Sequence, residues 1–265
     1  VALPPLFLRC KKLFKISDES QIDTPSRLAI IIPAFDESAT VASVITQAKQ
    51  SSADCHVFVV DDCSSDNTGR LAGEAGATVL TMPYRAGAWN SVQAALLYAM
   101  KSGDYDFYIT LDADGQHHPG YIPTLVDHAR RNNIDLVIGS CPERGSVTRK
   151  IAWSFFAALT RLGIRDMTSG FRGYSREAVQ CLLSKEATLL DYQDLGVLLL
   201  LRRHGFRCSE VSVPMEIRAD GCSRVFHSWW AVMSYIVKTC IWVLFDWIQP
   251  KASSQLDSWK EYDSI

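Results

Sequence analysis

From Leu28 onward the chain alternates between short apolar runs and segments of helix length, and no other feature constrains its fold as tightly. The runs are LAIIIP (28–33), CHVFVVD (55–61), ATVLTM (77–82), DFYITLD (106–112) and IDLVIGS (134–140). Between them, residues 36–50, 66–76, 87–101 and 119–132 repeat apolar side chains at helical spacing. Strands alternating with helices build βαβ units, and successive units give a parallel sheet with helices on both faces. Strands of such a sheet are buried on both sides, so they read as continuous apolar runs. The pattern predicts an α/β fold with a mostly parallel central sheet.

After residue 145 the texture changes. A helix is predicted over 147–163, followed by the stretch SGFRGYS (169–175), helices over 176–184 and 191–204, and a strand over 208–214. Segment 227–248 carries four of the seven tryptophans. Its apolar positions Trp229, Met233, Ile236, Cys240, Leu244 and Trp247 follow one helical face, but Lys238 and Asp246 interrupt it, so no uncharged run long enough to span a bilayer exists. The expectation is a C-terminal amphipathic helix lying in a membrane interface. Packing on the protein's own core, or on a second copy in a homo-oligomer, stays open. Residues 1–26 read as an N-terminal arm, 27–226 as the main domain, 227–248 as the interfacial helix and 249–265 as a polar tail.

Charge and cysteine usage narrow the partners. Lys and Arg number 27 against 29 Asp and Glu, a net charge of −2, and no Lys/Arg run exceeds two residues. A nucleic-acid binder shows a basic excess or stripe, so nucleic acid is not an expected partner. The eight cysteines form no C-x-x-C pair and are irregularly spaced, which suggests neither a zinc site nor a disulfide framework. Scattered thiols of this kind read as reduced and cytoplasmic. In the first fifteen residues the basic side chains follow the apolar ones, the reverse of a secretory signal.

In an open parallel sheet, ligands bind at the carboxyl ends of the strands, beside a topological switch point. Three predicted strands end in acidic clusters: Pro33-Ala34-Phe35-Asp36-Glu37, Asp61-Asp62-Cys63-Ser64-Ser65-Asp66, and Asp112-Ala113-Asp114-Gly115-Gln116-His117-His118. Carboxylates crowded into one crevice repel unless something positive joins them. Asp112, Asp114 and Gln116 offer hard oxygen donors two residues apart, a set that favours Mg²⁺ or Mn²⁺ over zinc. Neither G-x-G-x-x-G nor G-x-x-x-x-G-K-[ST] occurs, so no glycine-rich phosphate cradle is available and NAD(P) dehydrogenases and P-loop NTPases are disfavoured.

These motifs, in this order, resemble the family 2 glycosyltransferases with a GT-A fold, above all the dolichyl- or polyprenyl-phosphate sugar synthases. IIPAFDES is similar to that family's I-P-A-Y-N-E-E start, VVDDCSSDNTG to V-D-D-G-S-S-D-N-T, and LDADGQHHP to D-A-D-x-x-H-x-P. SGFRGYSREAV resembles G-x-F-R-x-Y-x-R, and EVSVPMEIRADGCSR resembles E-V-P-x-x-x-x-x-R-x-x-G-x-S-K. The resemblance covers roughly residues 28–226. It implies an inverting transfer from a UDP- or GDP-sugar to a lipid-phosphate acceptor, by an enzyme peripherally attached to a membrane surface. Pro33, Ala34, Asp36, Glu37, Asp62, Asp112 and Ala113 would then bind the nucleotide, and Asp112, Asp114 and Gln116 the metal. Arg172, Arg218, Ser223 and Arg224 would meet phosphate oxygens, for which planar guanidinium groups are suited. Asp114, Asp194 and Arg172 are the catalytic candidates.

The sequence also departs from the family. Cys63 stands where a Gly is usual, a change expected to be tolerated if the turn needs no positive φ. PYRAGAWNSVQAA lacks the N-x-G-x-G-x-A pattern, which leaves Arg85 open as a donor contact. Gly196 occupies the place of a usual Glu, with Asp194 and Asp191 the nearest carboxylates. A hydroxyl acceptor needs a general base. A phosphate monoester, with a second pKa of about 6, is already largely dianionic at neutral pH and needs none. The missing Glu therefore suits a lipid phosphate, while Asp194 remains open as a base for a glycan hydroxyl, or as a helix-terminal acid stabilised by the dipole.

Overall fold

The computed structural model describes residues 27–141, 163–190 and 194–216. The predicted arm, most of the 147–163 helix, the 227–248 helix and the tail lie outside the described residues, as do Arg218, Ser223 and Arg224. The described chain runs β1 (Leu28–Ala34), α1 (Val41–Ser51), β2 (Cys55–Asp61), α2 (Thr68–Glu74), β3 (Thr78–Thr81), α3 (Ala88–Ser102) and β4 (Phe107–Thr110). A short 3₁₀ turn (Pro119–Tyr121) leads into α4 (Ile122–Asn132) and β5 (Leu136–Ser140). Then come β6 (Arg172–Ser175), α5 (Arg176–Leu182), α6 (Lys185–Thr188), α7 (Leu195–Arg203) and β7 (Cys208–Ser212).

The strands form one seven-stranded sheet in the order β3-β2-β1-β4-β6-β5-β7. β1 pairs in parallel with β2 on one side and β4 on the other, so the chain reverses its direction of travel across the sheet between them. That is the switch point at which an open sheet leaves a crevice. β6 is the exception to the parallel rule, antiparallel to both β4 and β5. It falls inside the SGFRGYS stretch and was not predicted as a strand. Four residues that include Arg172 and Gly173 show neither alternation nor a β-branched run, and the neighbouring strands impose the conformation. A Cβ at Gly173 would strike the Phe107 ring and approach Ile109 Cδ1 to 3.1 Å, so only glycine lets β6 lie against β4 here.

The continuous apolar runs follow from cores on both faces. Ile30, Ile32, Val57 and Val59 pack beneath Val41, Val44, Ile45 and Ala48, the 3–4-spaced face of α1. Ile31, Phe58 and Val60 point the other way, into a core with Trp89, Val92, Leu96 and Ala99 of α3 and the leucines of α7. Complete burial of each such side chain contributes roughly 1.5–3 kcal/mol. The predicted helix over 36–50 begins five residues later, at Val41, because Glu37 O accepts from Thr40 N and Val41 N and residues 35–40 serve as a turn.

Candidate active site

The ends of β1 and β2 are level in register, Ala34 opposite Asp61. The loops that follow are tied together by short polar side chains. Asp36 N donates to Ser64 Oγ (3.0 Å), and Asp36 Oδ1 accepts from Ser65 N (2.7 Å) and Ser65 Oγ (3.1 Å). Glu37 N donates to Thr68 Oγ1 (2.8 Å), and Ser38 N to Asp66 Oδ2 (3.2 Å). Asp66 also accepts from Thr68 N and its hydroxyl. Local desolvation works against ionisation of the exposed Asp66, but the hydrogen bonds from Thr68 and Ser38 outweigh it and hold the carboxyl down at about 2.

Two of these loop residues adopt left-handed backbone, Asp36 at φ 51° and Cys63 at φ 63°. Asp tolerates this region better than most side chains. Cys63 does not, so the condition placed on its substitution for Gly is not met: the turn does require positive φ, and the thiol residue occupies it at a cost.

Asp62 is buried and spends both carboxylate oxygens on the loop before α3: Oδ1 accepts from Ala86 N (2.7 Å) and Oδ2 from Gly87 N (2.9 Å). Gly87 has φ 89°, which suits glycine. Fixed in this way, the loop lays the Arg85 guanidinium over the Phe35 ring, 3.9 Å from its centroid. The first turn of α3 is anchored in turn, with Trp89 Nε1 donating to Ala187 O (2.9 Å) in α6.

The acidic turn leaves β4 at the switch point. Thr110 pairs with Ile31, so Asp112, two residues on, reaches the level of Pro33. Asp112 and Asp114 are half-buried and Ala113 is buried. Asp114 Oδ1 accepts from Gln116 N (3.0 Å), and Gly115 turns the chain at φ 76°. The turn is held from the far end of the described residues, where Glu216 N donates to Gln116 O (2.8 Å) and His117 bridges to Met215. His117 is fully buried with its ring 5.5 Å from that of Phe171, and His118 Nδ1 accepts from Gly120 N to start the 3₁₀ turn. Among the described residues no three His, Cys, Asp or Glu side chains converge as a closed metal cage. Two carboxylates and an amide on one turn instead fit a hard cation that keeps water and substrate phosphate oxygens as its other ligands.

Beyond the switch point the expectations fare differently. Arg172, proposed to meet phosphate, is 0% exposed. Its Nε donates to Ser169 O (2.8 Å) and its Nη2 to Met167 O (2.6 Å), and Nη1 has no hydrogen-bond partner among the described residues. The described hydrogen bonds of this guanidinium thus hold its own loop. Asp194 caps α7, its Oδ1 accepting from Gly196 N (3.3 Å). Gly196 packs closely on Leu190: a Cβ there would lie 2.7 Å from Cδ2, so a side chain at this position would need the tip of that leucine to shift.

The structure thus gathers Pro33, Ala34, Asp36, Glu37, Asp62, Asp112, Ala113, Asp114 and Gln116 along the ends of β1, β2 and β4, with Arg172 on β6 opposite Thr110 of β4 and Asp194 at the start of α7. Sequence reasoning missed Gly170, whose backbone lies against the Asp112 carboxylate, and the stacking of Arg85 on Phe35. The SGFR motif was the available signal for the first.

A mainly parallel sheet with an acidic turn at its switch point, and a single antiparallel strand inserted beside that turn, defines a GT-A glycosyltransferase. Residues 29–183 match glycosyl transferase family 2, and the chain belongs to that family. Polyprenol monophosphomannose synthase of Mycolicibacterium smegmatis is 30% identical over 179 residues, covering 62% of this chain and 67% of that protein. Undecaprenyl-phosphate mannosyltransferase of Micrococcus luteus is 29% identical over 171 residues, 59% of this chain and 69% of its own. Among solved structures, glucosyl-3-phosphoglycerate synthase from Mycobacterium tuberculosis, crystallised with Mn²⁺, UDP and glucosyl-3-phosphoglycerate, has a TM-score of 0.66. It is 22% identical, with 86% of this chain and 82% of that one covered, and so bears on the fold alone.

Proposed function

We propose that the enzyme transfers a sugar from a nucleotide-diphosphate sugar to a polyprenyl phosphate at a membrane surface, with Mg²⁺ or Mn²⁺ bound by Asp112, Asp114 and Gln116. The zipped loops of β1 and β2, with Ala34, Asp36, Glu37 and Asp62, form the nucleotide side of the crevice. When bound, the cation would neutralise charge building on the leaving diphosphate. The anomeric carbon gains a bond to an acceptor phosphate oxygen as its bond to the diphosphate breaks, in line and with inversion, and no proton has to move.

The observation that carries the acceptor class is position 196. It has no carboxylate and is packed against Leu190, as suits an acceptor that arrives already ionised. The two mannose-transferring relatives, named for polyprenol monophosphate and undecaprenyl phosphate, support the same reading. Arg218, Ser223 and Arg224 are the candidates for holding acceptor and donor phosphates. The main domain is taken as 27–226, between a 1–26 arm and a 227–248 interfacial helix, with 249–265 as the tail. No helix among the described residues is long and apolar enough to cross a membrane; the proposed attachment rests on the amphipathic sequence pattern of 227–248.

The test is a panel of radiolabelled UDP- and GDP-sugars offered with undecaprenyl or dolichyl phosphate. Label should enter the organic phase only when the lipid carries its phosphate. Transfer to a glycan hydroxyl with no lipid-phosphate dependence would overturn the acceptor, and flotation on liposomes unaffected by removing 227–248 would overturn the interfacial helix.

A further inference from the structure

Gly170 stands at the junction of two parts of the molecule. A Cβ built on it would lie 2.6 Å from Asp112 Oδ2 and 2.8 Å from Cγ, and closer still to Oδ1, where real Cβ atoms essentially never come within 3.0 Å. Backbone conformation does not explain the glycine, because Gly170 is not among the residues with positive φ. Only the nearness of the carboxylate does.

The wall carrying Gly170 is fixed from several directions. Thr110 Oγ1 donates to Gly170 O (2.8 Å), and Ser169 Oγ donates to Gly139 O (2.6 Å). Phe171 O accepts from Gly139 N (2.8 Å). Arg172 binds the carbonyls of Met167 and Ser169, as described. Further back, Glu210 accepts from Arg165 N (2.8 Å) and Arg165 Nε (2.6 Å), and Asp166 Oδ2 accepts from Cys141 N (3.2 Å). A carboxylate on a turn is the softer partner in this contact. A methyl group at 170 would therefore displace Asp112 by several tenths of an ångström at least, while the wall stayed in place.

We propose that Gly170 is a positioning residue for the divalent cation: its bare backbone, held by the buried Arg172 and by Thr110, sets the orientation in which Asp112 binds metal. The inference rests on the metal-dependent donor site proposed above. Mg²⁺ and its analogues accept oxygen ligands only within a narrow distance range, so a small displacement of one carboxylate costs affinity.

The experiment follows Mn²⁺ by its electron paramagnetic resonance signal, titrated into the full chain with saturating UDP and, in parallel, GDP. Unfolding in EDTA and metal-free nucleotide binding are recorded beside it. Gly170→Ala should weaken Mn²⁺ binding by about 10- to 100-fold, the range seen when a ligand's supporting shell is removed, with metal-free nucleotide binding unchanged. Thr110→Val, which removes only the hydroxyl bond to Gly170 O, should weaken it in the same direction by a few fold. Asp114→Ala should abolish it and separates the two ideas. If D114A loses Mn²⁺ binding while G170A and T110V keep wild-type affinity, the positioning role is wrong and the metal site stands. If D114A itself keeps wild-type affinity, the metal site is wrong and the positioning role falls with it. Should G170A fail to fold, T110V decides alone.

Discussion

The two sides of the switch point are held together by different means. On the β1–β2 side, Asp, Ser and Thr side chains reach across to backbone N–H groups of a neighbouring loop, as Asp36 does to Ser65 and Asp66 to Ser38. On the β6 side the work falls to a fully buried arginine and to glycines that admit close approach. A polar residue type at a strand end therefore means different things on the two sides. On the first it ties neighbouring loops to one another; on the second it braces its own loop from within.

The sharpest way to break this comparison is Arg172→Ala. As a buried strut its loss removes two charge-assisted hydrogen bonds and leaves two carbonyls unpaired, so stability should fall by about 3 kcal/mol, read by urea unfolding. A phosphate-contact residue would instead leave the unfolding midpoint unchanged and raise the acceptor KM. Asp62→Ala is the corresponding change on the other side. It strands the amides of Ala86 and Gly87, so a loss of about 1–3 kcal/mol is expected, accompanied by a raised donor KM as the Arg85 loop loosens. Cys63→Gly should do the opposite and stabilise by about 1 kcal/mol, since glycine occupies the left-handed region without penalty; an unchanged melting temperature would mean the strain is absorbed elsewhere. The smallest effect belongs to Asp66. Its folded pKa of about 2 lies below the ordinary 3.8. Its contribution is therefore complete above pH 3.8 and is lost as pH falls toward 2, and Asp66→Asn should remove that portion of the acid-unfolding curve.

Legibility in the sequence divided along the same line. The strands from β1 to β5 were readable because burial on both faces demands apolar runs, and the acidic strand ends were readable because polar residues closing an apolar run mark where a strand stops. β6 was not readable, since a four-residue strand containing Arg172 and Gly173 is defined by the strands on either side. The buried setting of Arg172 was not readable for a related reason. Residue type specifies that a guanidinium donates hydrogen bonds, but whether a phosphate or a main-chain carbonyl receives them depends on burial, which only the three-dimensional structure supplies. The turn at Cys63 fell between these cases, its motif plain and its φ invisible.

The placement of β6 also has a consequence in time. Thr110 and Gly170, which meet beside the acidic turn, are 60 residues apart in the chain, and Gln116 waits for Glu216 from still further along. Domains begin to fold during synthesis, amino-terminal parts first. As the chain leaves the ribosome, β1, β2 and β4 can pair before the wall for Asp112 has been made. The nascent protein thus ties the loops after β1 and β2 together early and completes its acidic turn late, only when nearly the whole described chain has emerged.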